Sequence, residues 1–264
     1  MRKNYQAPLE SDPMQIEPIL AFEDNYIWAL RHEGQVALVD PGEAAPVERF
    51  LKQTGDQLGA ILVTHHHGDH IGGIAELVAR YPVPVYGPAR EAQAVVTHPL
   101  AEGDRVTVLD VDFTVLEVPG HTLGHVVYYR PGMLLCGDTL FGAGCGRVFE
   151  GTLAQMHASL ARLAALPAET QVYCAHEYTE SCLRFARTVE PGNAAIATRI
   201  DRVKRQRAAG QPSVPSTLTE ELETNPFLRS QAPGVIAAAT AHLGHPPANA
   251  TETFSAIRIW RDQL

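Results

Sequence analysis

The chain of 264 residues lacks any uninterrupted apolar stretch of about 18 residues, which excludes a helix of membrane-spanning length. An apolar leader is missing too. Arg2 and Lys3 are followed by Glu10, Asp12 and three prolines, so no secretory signal is expected and the cytosol is the expected compartment. No CxxC pair occurs among Cys136, Cys145, Cys174 and Cys182, which argues against a thiolate zinc ribbon. In a reducing compartment these four read as buried apolar side chains. Positive charge is scarce: 21 Lys and Arg stand against 30 Asp and Glu, a formal net charge of −9. Such a field repels polyanions and argues against a nucleic-acid enzyme. Internal repeats and low-complexity tracts are absent.

What is present is an ordinary globular composition, 45% apolar and 19% charged. The length suits one large domain or a core with a smaller partner. From Ile16 to about Val172, short β-rich runs alternate with Gly and Pro: Tyr26–Leu30, Val36–Val39, Ala60–Val63, Thr114–Val118, His125–Tyr129 and Met133–Cys136. Helical patterns lie between them at Ile71–Tyr81 and at Leu153–Leu166, where Leu153, Met156, Leu160 and Leu163 share one face. Strands with interspersed helices predict a layered α/β or α+β core. After Tyr178 no strand is expected. Asn193 caps a predicted helix through Arg199, Val203 and Arg207 that stops at Gly210, and a small helical appendage continues to Leu264.

The chemistry concentrates in Thr64-His-His-His-Gly-Asp-His70, directly after the apolar run Ala60–Val63. Four imidazoles and a carboxylate at a strand end form a dense set of nitrogen and oxygen donors. With an imidazole pKa near 6.5, neutral rings are available at neutral pH. Gly68 is expected to permit a tight turn between the donors. A merely His-rich surface loop does not account for the matching donors further along the chain. His121, Asp138 and His176 each lie just beyond a later apolar run, where loops gather at one sheet edge. Seven donors suffice for two divalent ions sharing one carboxylate. Such a pair lowers the pKa of water from about 15.7 towards neutrality and polarises a carbonyl, so no Ser or Cys nucleophile is needed.

The motif met by His65, His67, Asp69 and His70 resembles the HxHxDH hallmark of the metallo-β-lactamase superfamily. The resemblance implies an α+β fold, an αββα sandwich with a small C-terminal helical domain, divided as residues 1–177 and 178–264. It implies that His65, His67 and His121 bind one metal, that Asp69, His70 and His176 bind the other, and that Asp138 bridges them. Asp69 and Asp138 are the implied catalytic carboxylates. His66 is not a ligand position, and His32, His98, His125, His157, His242 and His245 receive no role. Zinc is the first choice of metal, with iron and manganese as alternatives that His and Asp donors do not separate.

Further segments resemble the hydroxyacylglutathione hydrolases, the glyoxalase II family: Asp24–Trp28, Asp138–Arg147, Phe149–Thr152, His176–Thr179, Phe185–Arg187, Val189–Asn193, Pro212–Leu218 and Asn225–Arg229. The likeness covers some nine-tenths of the chain. It implies hydrolysis of S-D-lactoylglutathione and related thioesters, in methylglyoxal detoxification, by a monomer. It places Arg147, Phe149, Tyr178, Arg258 and Arg261 at glutathione-contacting positions. Many relatives have Lys where Arg147 stands, and a guanidinium fork suits a carboxylate equally. Several have Tyr where Phe149 stands, so a hydrogen bond of roughly 0.5–1.5 kcal/mol is forgone. Without the resemblance, Arg258 and Arg261 read as the solvated face of a terminal helix. Two rival functions remain: a glutathione persulfide dioxygenase with a single iron, and a non-catalytic metal-binding protein of the same fold.

Overall fold

The computed structural model describes residues 14–91 and 94–264. Arg2, Lys3, Glu10 and Asp12 lie outside the described residues. The first sheet comprises β1 (Gln15–Ala21), β2 (Asn25–His32), β3 (Gln35–Val39), β4 (Gln57–Leu62), β5 (Val85–Pro88) and β6 (His98–Leu100), in that spatial order. It is antiparallel as far as β3 and parallel from there on. The second sheet begins with β7 (Arg105–Val108), β8 (Val111–Glu117), β9 (Val126–Arg130) and β10 (Met133–Gly137). After a short hairpin, β11 (Leu140–Phe141) with β12 (Gly144–Cys145), it continues with β13 (Gln171–Cys174) and β14 (Ser216–Thr217). Its order is β14-β13-β10-β9-β8-β7.

The period-two pattern of β2 shows how the layers are specified. Tyr26, Trp28 and Leu30 enter the core shared with Phe113, Val115 and Leu134 of the second sheet. Ile27 and Ala29 point the other way, against Val47 and Leu51 of helix α1 (Ala44–Thr54) and beyond it Ile74 and Leu77. The expected helix Ile71–Tyr81 is broken in two, α2 (Gly68–Ile71) and α3 (Ile74–Arg80). The backbone is crowded at the break: a Cβ on Gly72 would lie 2.7 Å from the Gly68 carbonyl oxygen, and one on Gly73 2.5 Å from the Glu43 carbonyl carbon. Helix α4 (Leu153–Ala164) starts on a Thr152–Gln155 capping box and buries Met156, Leu160 and Leu163 with the second sheet. The result is the α+β, αββα arrangement.

The C-terminal part contains α5 (Thr179–Val189), α6 (Ala194–Ala208), α7 (Leu218–Thr224), α8 (Pro233–Leu243) and α9 (Ala250–Asp262). The Asn193 side chain caps α6, accepting from the backbone of Ala195 and Ile196. The expectation that strands end at Tyr178 is corrected by β14, which pairs antiparallel with β13 through Gln171↔Thr217 and Val172↔Ser216. Two residues carry no legible periodicity, so this strand exists through its partner rather than its own pattern. All four cysteines are free and buried.

Candidate metal centre

The ligand-bearing loops all leave one edge of the sandwich, after β4, β8, β10 and β13. At the end of β3, Asp40 adopts a left-handed backbone (φ 53°) and anchors the motif. Its carboxylate accepts from the Thr64 amide at 2.7 Å and the Thr64 hydroxyl at 2.7 Å. His67 is extended and starts α2, which carries Asp69 and His70. Gly68 does not make the tight turn expected of it: it lies in α2 with open space where a Cβ would be.

The seven predicted donors come together. His67 Nδ1 lies 3.1 Å from His65 Nε2 and 3.0 Å from His121 Nε2. Nitrogens bound at about 2.0–2.1 Å to one tetrahedral ion stand about 3.4 Å apart, so these three converge on a single ion's position. Asp69 Oδ2 is 3.4 Å from both His70 Nε2 and His176 Nε2. Asp138 faces both groups: Oδ2 is 3.5 Å from His121 Nε2 and 3.4 Å from His176 Nε2, and Oδ1 is 3.5 Å from His70 Nε2.

Several of the nitrogens turned away from the centre have partners of their own, which favours one ring orientation. His65 Nδ1 meets the Thr64 hydroxyl at 3.1 Å, and His70 Nδ1 lies 3.0 Å from Asp40 Oδ2 as an ion-pair contact without hydrogen-bond alignment. His121 Nδ1 donates to the Arg147 carbonyl at 2.7 Å, and His176 Nδ1 to Asp24 at 2.9 Å. Asn25 donates to Asp69 at 3.0 Å. His125, which had no expected role, is fully buried, stacks on His65 and accepts the Asp138 amide at 3.1 Å. Asp24, Asp40 and His125 were missed because isolated Asp and His residues are common. Only the strand ends beside Asp40 and His125, and the family-like segment Asp24–Trp28, offered a signal.

Burial pushes His65 well below the usual imidazole value, and His67 and His121 below it, so all three rings are neutral. Burial works against the charged forms of His70 and His176 too, but Asp138 outweighs it: His70 ends well above the usual value and His176 is pushed up to about 10. Burial likewise opposes ionisation of Asp138, yet His70 and His176 hold it well below the carboxylate range. Asp69 is held low chiefly by its bonds to His176 and His70. Asp138 Oδ1 and His70 Nε2 are buried without a hydrogen-bond partner. Two ionised carboxylates, three neutral rings and orphaned donor atoms fit divalent cations, whose binding would displace the protons of His70 and His176.

Next to this centre lies a cavity of about 310 Å³ lined by Arg147, Tyr178, Ser181, Arg258, Arg261 and Asp262 among others. Tyr178 joins the two sites, its ring stacked on His176 at 4.6 Å. Arg261 reaches Ser181 at 2.8 Å. Arg258 is not on a solvated face: it is only 6% exposed, bonded to the Cys145 carbonyl at 3.1 Å and to Asp262 at 2.8 Å. Arg147, half-exposed, also meets Asp262 at 3.1 Å. Phe149 stands apart from this cavity, 59% exposed, with its ring edge-on to His67 and His121 and near the Arg147 guanidinium. A larger cavity of about 960 Å³ between α5–α6 and α8–α9 contains none of these residues, and its Arg229 is bound bidentately by Glu190.

An αββα sandwich gathering these donors at one edge is the fold of the metallo-beta-lactamase superfamily, and the chain belongs to it: residues 21–176 match that family's model. Residues 177–264 match the hydroxyacylglutathione hydrolase C-terminus. A "Hydroxyacylglutathione hydrolase" from Cupriavidus taiwanensis is 55% identical over 266 residues, covering 95% of this chain and 99% of its own. Within the superfamily, the chain is a member of the hydroxyacylglutathione hydrolase family. Among solved structures it is similar to ETHE1 from Myxococcus xanthus (TM-score 0.65, 26% identity, covering 94% of this chain and 98% of that one). A protein solved in a di-iron-bound form, TTHA1623, gives a TM-score of 0.59 at 29% identity, covering 80% and 100%.

Proposed function

We propose that the protein hydrolyses S-D-lactoylglutathione and related S-2-hydroxyacylglutathione thioesters to glutathione and a 2-hydroxy acid, a step in methylglyoxal detoxification. The observation that carries this reading is adjacency: Tyr178 stacks on a member of the seven-donor centre and lines the arginine-rich cavity beside it. The name borne by the Cupriavidus relative supports the substrate class. His65, His67 and His121 would hold one divalent ion and Asp69, His70 and His176 the other, with Asp138 between them. Such ions would supply a lowered pKa for water and polarisation of the thioester carbonyl. Asp69 and Asp138 then fix the geometry of the reacting face, and His125 holds Asp138 through its amide. Arg147, Arg258 and Arg261 offer cations to the carboxylates of glutathione, with Tyr178 and Phe149 flanking the sulfur end.

The division into a catalytic part, residues 1–177, and a glutathione-binding part, residues 178–264, belongs to the same reading, as do a monomeric state and a cytoplasmic location. Zinc is the resident metal proposed; iron and manganese suit the same donors. Elemental analysis of the purified chain followed by kinetics on S-D-lactoylglutathione tests the whole. Two equivalents of metal and release of free glutathione thiol are expected. A chain that holds two equivalents and leaves the thioester intact refutes it.

A further inference from the structure

His66 sits between two members of the donor set, yet each of its ring nitrogens is engaged by a glutamate. Nδ1 lies 3.0 Å from Glu91 Oε2 and Nε2 3.0 Å from Glu150 Oε1. Both are ion-pair distances rather than aligned hydrogen bonds, and the buried Glu91 Oε2 has no neighbour bonded to it more closely than this ring. The other oxygen of each glutamate grips the segment just after His121. Glu91 Oε1 accepts from the Thr122 hydroxyl and, at 3.0 Å, from the Gly124 amide, while Glu150 Oε2 accepts from the Leu123 amide at 3.0 Å. The approach is close: a Cβ on Gly124 would lie 2.4 Å from Glu91 Cγ, and one on Gly151 2.7 Å from the Gly120 Cα. The amides of Phe149 and Glu150 donate to the His121 carbonyl at 3.2 and 3.3 Å. Four segments from distant parts of the chain are therefore joined through one imidazole: the motif loop that carries it, the segment of Glu91, the loop bearing Arg147, Phe149 and Glu150, and, through both glutamates, the His121 loop.

We infer that His66 is a positioning residue whose bridge between Glu91 and Glu150 sets His121 against His65 and His67 and registers the Arg147–Phe149 loop on that half of the centre. This rests on the two-metal reading. The opposite half has its own support, Asp24 on His176 and Asn25 on Asp69, which does not pass through His66. The clamp therefore acts on one ion and on substrate register together. Loss of an outer partner of this kind typically weakens metal binding by about 10- to 100-fold.

The test uses the full chain with zinc and a competing chromophoric chelator, giving two dissociation constants, alongside KM and kcat. His66→Ala is expected to weaken one equivalent by about 10- to 100-fold, spare the other, and raise KM. Asp24→Ala, acting through His176, is expected to weaken the other equivalent. Combining His66→Ala with Glu150→Gln should weaken binding little beyond the single changes, since both open the same link. A merely structural histidine would weaken both equivalents in parallel. Equal loss of both, loss of neither, fully multiplying single effects, or disappearance of a third equivalent present in the parent each overturns the inference. If His66→Ala does not fold, Glu150→Gln on a partly exposed side chain carries the same expectation by itself. A parent chain holding fewer than two equivalents refutes the metal reading first, and the inference with it.

Discussion

At the residue scale, the centre is asymmetric in a way that makes single changes informative. Among the described residues, Asp138 is the one carboxylate within 3.5 Å of donors from both halves. Asp138→Ala should lose more activity than any other single ligand change, beyond the roughly 10- to 100-fold typical of an outer partner. Full retention of two metal equivalents with near-parental turnover would contradict this. The arginines differ in what they can report. Arg258 supports the Cys145 carbonyl from a buried position, so Arg258→Ala should cost stability as well as binding. Arg261 is the cleaner probe: Arg261→Ala should raise KM chiefly, because it removes binding common to ground and transition states. A charged hydrogen bond is worth roughly 1.5–3 kcal/mol, so kcat/KM should drop about 10- to 150-fold. The defect should vanish with a small thioester lacking the tripeptide. An unchanged KM with lower kcat on both substrates would remove Arg261 from the substrate site.

The donors were legible because metal chemistry demands particular side chains in number, and four imidazoles within one short loop leave few other uses. Asp24, Asp40 and His125 do the same kind of work one contact further out, but as solitary residues they carried no spacing to recognise. Arg258 was misplaced, without the resemblance, because helix periodicity reports a face and not what packs against it.

At the element scale, the β11–β12 hairpin shows how the helical part reaches into the centre. This hairpin comes directly after Asp138 and leads to Arg147, and it contains Ala143 in a left-handed conformation (φ 57°). The buried Glu221 of α7 accepts the Ala143 amide at 2.8 Å and Asn225 donates to the Gly144 carbonyl at 2.8 Å. Glu221 in turn pairs with buried Arg199 at 2.6 Å. Removing one member of a buried pair typically costs about 3–5 kcal/mol, so Glu221→Ala should lower the free energy of unfolding by that amount. Denaturant titration measures it, and a loss below about 1 kcal/mol would show that water replaces the carboxylate. Turnover should fall too, since the strained hairpin sets the approach to Asp138. The strand pattern of β2, β3 and β4 and the face of α4 were readable from periodicity. The break between α2 and α3 was not, because its cause is a backbone from elsewhere pressing on Gly72 and Gly73.

For the molecule as a whole, pH and metal are linked through the cluster. His70 and His176 hold protons at neutral pH in the metal-free site, His176 up to about 10. A ligating imidazole must give up its proton, so loading at pH 7 should release protons, and metal affinity should rise about tenfold per pH unit for each proton released. In the other direction, acidification should strip metal and activity together. Calorimetry in two buffers of different ionisation enthalpy counts the protons. Loading without proton release at pH 7 would mean that these two rings are already neutral.

The pairing of β14 with β13 also bears on how the chain comes into being. The second sheet is closed at that edge by residues 216–217, although its neighbour strand ends at 174. On a ribosome adding about 5–20 residues per second, β13 therefore waits roughly two to eight seconds with its hydrogen-bonding edge bare. A bare edge is a template for another chain. A fragment ending at residue 177 should consequently associate with itself more than the complete chain does, and light scattering of the two at equal concentration would show it. The segment that lines the arginine-rich cavity is in this sense also the nascent sheet's guard against its own copies.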